Sequence, residues 1–336
     1  MDWIWRGWHD RWDDPLKDRM MWMFKDKTVL ITGGTGSFGR WILKDILRNS
    51  VKEIRIFSRD EEKQLDVKRE ASDSRIKFFI GDVRDYDRVV QACRGVDVLY
   101  HAAAQKIIDS CEENPTEAFK TNVLGTWNVK RASIACEVER SVLISTDKAV
   151  KPVNLYGMTK GMAEKVWIRN EDAKLKIRFT VVRYGNVIGS RGSVVPYFKQ
   201  LIKDKKPLPI THRDMTRFLI TLRQATELVF HATKHSNGGE IYVPDLPACR
   251  IVDLAKAMAG DKYPLNFVGI RLGEKIHECL IQEYEIHRTE KKGRYFIIHS
   301  DLQLSHSDLT EEYTSDKAKL LDRKGIVALL KEAGWA

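Results

Sequence analysis

The sequence predicts an α/β fold in which a doubly wound parallel sheet is followed by a smaller C-terminal α/β substrate-binding lobe. Three observations carry that reading. From Thr28 onward, short β-branched runs alternate with amphipathic stretches. Such alternation, with near-continuously apolar strands, implies a parallel sheet covered on both faces. A glycine-rich turn follows the first of these runs. After about Asn186 the rhythm breaks, and Pro196, Pro207, Pro209, Pro244, Pro247 and Pro264 punctuate shorter elements.

The main-sheet strands are expected at Thr28–Thr32, Glu53–Phe57, Lys77–Ile80, Val96–His101, Ser141–Ser145 and Phe179–Tyr184. Each is a run of four to six residues rich in Val, Ile, Phe or Tyr, as buried strands are. Helices are expected at Phe38–Arg48, Asp87–Cys93, Glu117–Cys136 and Tyr156–Arg169. In the second part, strands are expected at Glu240–Val243, Asn266–Ile270 and Tyr295–His299, and helices at Leu222–Thr233, Ile251–Ala259 and Glu274–Ile281. The division is therefore residues 23–186 for the dinucleotide-binding domain and 187–336 mainly for the substrate lobe, with some segments free to return to the main sheet. Residues 1–22 hold five of the nine tryptophans among many charges. They lack the apolar core of a signal peptide and read as a dispensable extension without fixed structure, the working protein beginning near Met23. The rival reading is that Trp5, Trp8 and Trp12 line one helical face and dock on a partner or membrane surface.

Composition excludes several function classes. The five cysteines (93, 111, 136, 249 and 279) form no C-x-x-C pair, which argues against a zinc knuckle or disulfide scaffold and fits a reducing, cytoplasmic setting. No apolar run approaches the ~20 residues of a membrane span. The net charge of +10 is spread along the chain with no aromatic-interleaved basic block, so a nucleic-acid partner is not expected. His231 and His235 are four apart with no further ligand in view, and no metal is expected.

The run Val29 to Gly39 reads as a strand, a tight turn and a helix start, with Gly33, Gly36 and Gly39 in T-G-x-x-G-x-x-G spacing. Glycines there let the backbone approach a pyrophosphate, and the helix N-terminus adds amides and partial positive charge. This makes the sheet Rossmann-like and places Thr35, Ser37 and Phe38 at the cofactor. The second strand ends in Phe57-Ser-Arg-Asp-Glu-Glu-Lys63. Ser58, Arg59 and Lys63 suit a 2′-phosphate, so NADP is the expected cofactor, although Asp60 keeps NAD open. Asp82 and Val83 follow the third strand and suit the adenine edge. Ala102, Ala103 and Ala104 follow the fourth and let a cofactor lie close.

Tyr156 and Lys160 are four apart and share a helix face. An ammonium beside a phenol favours the phenolate, which suits hydride transfer at a hydroxyl-bearing carbon. Thr146, Asp147 and Lys148, just upstream, add an acid and a second base. That extra pair points to chemistry at a neighbouring carbon.

With these motifs in place, the chain resembles an extended short-chain dehydrogenase/reductase. More narrowly it is similar to the UDP-N-acetylglucosamine 4,6-dehydratases that invert carbon 5 and open the route to pseudaminic acid. The resemblance runs from about Met23 to at least Ile298. It rests on T-G-G-T-G-S-F-G (32–39), S-R-D-E (58–61), H-A-A-A-x-K (101–106), K-T-N-x-x-G (120–125), S-T-D-K-A (145–149), N-L-Y-G-x-T-K (154–160), R-Y-G-N-V-x-G-S-R-G-S-V (183–194), M-T-R-F (215–218) and I-R-x-G-E-K-x-H-E (270–278). Gln105, Ile107 and Asp109 depart from the family, which more often shows Leu, His and Pro there.

The resemblance implies a tightly held NADP that is regenerated each turnover, a UDP-sugar substrate and a homo-oligomer, a hexamer being one form. It implies that Tyr156 deprotonates the 4-hydroxyl while carbon 4 yields a hydride. Lys160 lowers the phenol pKa and holds the nicotinamide ribose. Asp147 protonates the departing 6-hydroxyl, and Lys148 is the base at carbon 5. An ordinary lysine pKa near ~10.4 leaves almost no free amine at neutral pH, so that role requires burial beside other cations to lower it. Lys106, Asn186, Arg191, Val195, Arg217, Arg271 and Glu274 are the implied substrate-binding residues, with the three arginines on the diphosphate and Lys106 also beside the cofactor. The rival readings are a 4-epimerase or 4-ketosugar reductase, which needs Tyr156 and Lys160 but not the Asp-Lys pair, and a dehydratase that retains carbon 5.

Overall fold

The computed structural model describes residues 23–169, 176–300 and 307–335. The expectations for residues 1–22 lie outside the described residues. Six parallel strands, β1 (Thr28–Thr32), β2 (Glu53–Ser58), β3 (Ile76–Ile80), β4 (Val98–His101), β5 (Arg140–Thr146) and β6 (Arg178–Tyr184), pair in the order β3-β2-β1-β4-β5-β6. This is the doubly wound, Rossmann-like arrangement. Its strand order reverses between β1 and β4, and ligands bind outside the strand carboxyl ends at that switch point. The helices between these strands are α1 (Ser37–Leu47), α2 (Glu61–Glu70), α3 (Tyr86–Cys93), α4 (Ile108–Glu113), α5 (Pro115–Phe119), α6 (Gly125–Ala135) and α7 (Leu155–Ile168).

The second part contains β7 (Asn186–Val187), α8 (Val194–Lys203), β8 (Leu208–Ile210), β9 (Thr216–Ile220), α9 (Leu222–His235), β10 (Ile241–Pro244), β11 (Ala248–Arg250), α10 (Ile251–Ala259), β12 (Leu265–Phe267), β13 (Cys279–Ile281), α11 (Glu283–Ile286), β14 (Thr289–Lys292), β15 (Tyr295–Ile298), β16 (Tyr313–Thr314) and α12 (Arg323–Glu332). Strands β10, β15 and β14 extend the main sheet beyond β6, with β10 parallel to β6 and β15 antiparallel to both β10 and β14, giving nine strands. All four residues of β10 and of β15 are buried, as strands covered on both faces require. The remaining strands form small sheets β11-β9-β7, β12-β8 and β13-β16. A separate apolar core under them gathers Val195, Phe198, Leu208, Ile210, Leu254 and Leu330, among others.

Two expectations are corrected. Glu274–Ile281 is not a helix. Gly273 takes φ +75°, and Cys279, Leu280 and Ile281 are buried one after another, a strand pattern that pairs with β16. The long helix Glu117–Cys136 is interrupted by a π-helical turn at Lys120–Leu124, and Pro115 starts its first turn, where a missing N–H costs nothing. The strands expected at Glu240–Val243 and Tyr295–His299 lie in the main sheet, as β10 and β15. Helix α2 has no apolar stripe, only Gln64 and Val67 being buried, and its charged sequence carries no helical period to read.

Candidate functional site

The cleft opens at the carboxyl ends of β1, β4 and β5, between the main sheet and the lobe. It measures about 1210 Å³ and is lined by residues of both parts. That exceeds the ~300–1,000 Å³ usual for one small molecule, so two ligands fit side by side.

The glycine turn fits a dinucleotide. Gly33 has φ +68°, and a Cβ there would lie 2.7 Å from the Ala103 amide nitrogen. Ala102–Ala104 thus stay close because no side chain separates them from the turn. Helix α1 has no side-chain cap at Gly36, which leaves its first amides for an anion. Arg40 holds the turn from behind, donating to the Thr35 carbonyl at 3.1 Å and pairing with Glu70 at 2.6 Å. At the end of β2, Gln64 donates to the Ser58 carbonyl at 3.1 Å, to the Ser58 hydroxyl at 3.0 Å and to the Phe79 carbonyl at 2.9 Å. Asp60 caps α2 through the Lys63 amide and also pairs with the Lys63 ammonium. Arg59 reaches no closer than 3.7 Å to Asp82, and its side chain is 56% exposed. Asp82 is already tied to Arg84 at 2.7 Å. Gly33, Thr35, Gly36, Ser37, Phe38, Gly39, Ser58, Arg59, Lys63, Asp82, Val83 and Ala102–Ala104 all line the cleft.

Thr146 ends β5, and Asp147–Ala149 form a single 3₁₀ turn. Asn154 caps α7 by accepting the Gly157 amide at 2.8 Å and donates its own amide to the Gly273 carbonyl at 2.7 Å. A Cβ at Gly157 would lie 2.2 Å from the Lys148 carbonyl oxygen. Only glycine therefore lets α7 press onto the Asp147–Lys148 turn and bring Tyr156 beside it. Sequence reading did not assign that role to Gly157.

Lys160 is buried and donates to the Ile144 carbonyl at 2.7 Å. Burial brings its pKa down to about 8, partly offset by Glu164. Burial pushes the Tyr156 phenol up to about 12, with Asp147 adding to the rise and the Lys148 ammonium and Thr146 hydroxyl opposing it. The cation acting on the phenol in this structure is therefore Lys148, where sequence reading named Lys160.

Asp147 is fully buried behind Thr146 and Lys148. Its Oδ1 accepts from the Thr146 hydroxyl at 2.9 Å and the Lys148 ammonium at 3.1 Å, while its Oδ2 has no hydrogen-bond partner among the described residues. Burial, reinforced by Glu278, holds its carboxyl above the ordinary range against the pull of Lys148. Lys148 sits between two carboxylates, with Glu278 Oε1 at 3.2 Å on the other side. Burial alone would lower its pKa, but Asp147 and Glu278 outweigh that and hold it up. The expected lowering of Lys148 is thus reversed. Glu278 closes the motif quoted for residues 270–278, yet its meeting with Lys148 depends on tertiary packing.

The substrate-side expectations divide. Asn186 and Ser193 line the cleft with buried side-chain oxygens that have no partner among the described residues, as does Thr121. Lys106 donates to the Arg191 carbonyl at 3.0 Å, and Arg191, Arg271 and Glu274 line the opening. Arg217 reaches the cleft but is 7% exposed. Its guanidinium donates to the Thr216, Ile276 and Lys275 carbonyls at 2.7–3.1 Å and lies 3.7 Å from Glu278. Val195 is corrected: it is buried in the lobe core, and its neighbours Val194 and Pro196 line the cleft instead.

Behind the site, Arg183 pairs with Glu164 at 2.6 Å and Glu285 at 2.9 Å, all three buried. The Ser145 hydroxyl donates to Glu164 at 2.5 Å. This triad ties α7 to β5, β6 and α11. Replacing Arg183 by Met strands two buried carboxylates and is expected to destabilise the protein by about 3–5 kcal/mol, measured by denaturant unfolding. Burial would raise the Glu285 pKa, but Arg183 overrides it and depresses it. That contribution is present at neutral pH and fades as pH falls through the depressed value, so the wild-type advantage shrinks in acid.

Among the described residues no cluster of His, Cys, Asp and Glu could hold a metal ion, and no helix is long and apolar enough to cross a membrane. A family model described as polysaccharide biosynthesis protein matches residues 29–300. A UDP-glucose 4-epimerase of Rickettsia bellii is 43% identical over 330 residues, covering 92% of this chain and 96% of its own length. The crystal structure of Pen from Bacillus thuringiensis is 36% identical with a TM-score of 0.88, covering 93% of this chain and 99% of that one. DesIV of Streptomyces venezuelae, a dTDP-glucose 4,6-dehydratase solved with NAD, shares the fold at a TM-score of 0.70 and 19% identity over 92% of this chain and 98% of its own.

Proposed function

The chain belongs to the polysaccharide biosynthesis protein family, and from that premise we propose that it is an NADP-dependent UDP-N-acetylglucosamine 4,6-dehydratase that inverts carbon 5. It is an enzyme of the nucleotide-sugar dehydratase/epimerase type. The observation that carries the finer reading is the pair of buried Asp147 and half-buried Lys148 held directly against the helix of Tyr156. A hydride shuttle at carbon 4 has no use for that second acid-base pair, whereas expulsion of water from carbons 5 and 6 does.

A nicotinamide dinucleotide held at the glycine turn of Gly33, Gly36 and Gly39 would supply a hydride acceptor for carbon 4 and a hydride donor for carbon 6. Tyr156 takes the 4-hydroxyl proton, aided by the neighbouring Lys148 ammonium. Lys160, fixed on the Ile144 carbonyl, holds the ribose. Asp147 stores the proton that the departing 6-oxygen needs, and Thr146, which lines the cleft and bonds Asp147, delivers it. The tally of protons closes inside the site. Tyr156 gains one and Asp147 loses one in each turnover, and the Thr146 hydroxyl, bonded to Asp147 and beside the phenol, is placed to pass it back. Lys148 touches carbon 5. Arg191, Arg271 and Lys106 take the diphosphate, and Asn186 orients the hexose. The small core and its sheets serve as the substrate-binding lobe.

Ser58, Arg59 and Lys63 support NADP, because the acid that an NAD site would use, Asp60, is spent on capping α2. Replacing Arg59 by Ala removes about 1.5–3 kcal/mol of charged hydrogen bonding. It is expected to weaken NADP roughly 10–150-fold in a fluorescence titration while leaving NAD nearly unchanged.

In deuterated water, UDP-N-acetylglucosamine is expected to give a 4-keto-6-deoxy sugar with deuterium at carbon 5 in the L-arabino configuration, read by NMR. A D-xylo product means retention. An isomer of the substrate with no water lost sinks the dehydratase reading. A 4-epimerase reading is favoured by the names of the Rickettsia relatives, but it leaves Asp147, Lys148 and Glu278 without a task.

A further inference from the structure

Two glycines in left-handed geometry, Gly189 at φ +73° and Gly192 at φ +74°, bracket Ser190 and Arg191. This stretch of the cleft wall is therefore hinged at both ends. Its own backbone bonds are local, from the Ser190 amide to the Val187 carbonyl at 3.3 Å and from the Ser193 amide to the Ser190 carbonyl at 3.1 Å. On the cleft side it has two polar tethers. The Arg191 amide donates to the Ser37 hydroxyl at 3.2 Å, and the Lys106 ammonium donates to the Arg191 carbonyl at 3.0 Å. Ser37 and Lys106 both line the cleft, and they are groups that a dinucleotide and a diphosphate would engage. Ligands therefore compete for both tethers. A Cβ at Gly192 would meet no atom within 4 Å among the described residues, so that hinge is open on its Cβ side.

We propose that Trp335 is a positioning residue that braces this loop from behind and so holds Arg191 toward the diphosphate of a nucleotide sugar. The inference rests on the reading of Arg191 as a diphosphate ligand. A Cβ at Gly189 would overlap the Trp335 indole, with Nε1 the nearest atom. The ring therefore lies directly on the Gly189 backbone, at the one hinge that is packed. Trp335 is not among the residues that line the cleft, so it acts through the loop and not on a ligand.

Local chemistry aims the indole. Helix α12 ends in a Schellman motif. Gly334 takes φ +76° and donates its amide to the Lys331 carbonyl at 3.0 Å, while the Trp335 amide donates to the Leu330 carbonyl at 2.8 Å. This pair of bonds satisfies the last carbonyls of the helix and turns the next residue back onto it. Ile326, Leu329 and Leu330 anchor α12 in the apolar core of the lobe, and half-buried Trp335 packs against that core. From α8, the Lys199 ammonium stands 5.3 Å from the centre of the indole, within reach of a cation–π contact. The Thr221 hydroxyl reaches Glu332 at 3.3 Å and ties the end of α12 to the start of α9. The brace thus runs from the lobe core through an apolar ring, and an anionic ligand does not compete for it.

The test titrates wild type, W335A, W335F, R191A and the W335A/R191A double variant with UDP by calorimetry. It also reads kcat and KM for UDP-N-acetylglucosamine and the midpoint of thermal unfolding. W335A is expected to weaken UDP and raise KM by about 10–100-fold, since a small misplacement of a binding group is costly. Its kcat should change far less, as loss of uniform binding predicts. W335F keeps a flat ring against Gly189 and should recover most of the affinity. In the R191A background, W335A should cost little more, because both changes disable one contact. Losses that add in the double variant overturn the proposal. So does a W335A protein that unfolds earlier yet binds UDP as wild type does below its midpoint, which is the behaviour of a purely structural tryptophan. If W335A does not fold, W335L takes its place under the same criteria. A wild-type protein that binds no UDP overturns the diphosphate reading of Arg191, and this inference falls with it.

Discussion

Replacing Asp147 by Asn is expected to lower the rate of water loss by about 10²–10⁴-fold while leaving cofactor reduction nearly intact. The asparagine keeps the size of the side chain and can still bond Thr146 at the position where Asp147 Oδ1 now sits. It carries no proton to release. The oxidation at carbon 4 relies on Tyr156 and Lys160, so the variant should stall after its first step. Reduced nicotinamide should accumulate, and the sugar should be trapped as its 4-ketone. Rapid mixing with absorbance detection checks this. A variant that makes product at the wild-type rate would remove Asp147 from the chemistry.

Replacing Tyr156 by Phe is expected to stop the reaction one step earlier, with a loss of similar size, about 10²–10⁴-fold. No reduced nicotinamide should form, yet NADP should bind, because the glycine turn and the residues at the end of β2 are untouched. The contrast between the two variants is the informative part. A simple loss of folding would abolish both readouts in both proteins. An epimerase would lose activity with Y156F but keep it with D147N. The phenol stands at about 12 in the free protein, raised chiefly by burial, so the cations around it decide how readily it accepts the proton.

Much of the main sheet was legible because it is encoded locally. The strand Thr28–Thr32 and helix Ile251–Ala259 fall where apolar runs and periodicity place them. The glycine turn, the Tyr156–Lys160 spacing and the Thr146-Asp147-Lys148 run are equally local, and all three meet at the carboxyl edge of the sheet. What escaped is encoded at a distance or in charge. Helix α2 hides behind a charged sequence that buries only two side chains. The segment at Glu274–Ile281 carries helix-compatible residues, but three consecutive buried positions and a left-handed glycine make it a turn and a strand. The charge of Lys148 was misread because the carboxylate that helps fix it, Glu278, arrives from a segment distant in the chain. Gly157 has a role only once α7 lies on the Asp147–Lys148 turn. Arg217 reads as a phosphate ligand in sequence, and its carbonyl partners appear only in the folded chain.

The most direct test of the central claim is the mass of the product formed from UDP-N-acetylglucosamine with no cofactor added beyond what the purified protein carries. Loss of one water, about 18 Da, over many turnovers is the predicted result, since the hydride is returned in each cycle. A product of unchanged mass, with only the carbon 4 configuration altered, would contradict the account.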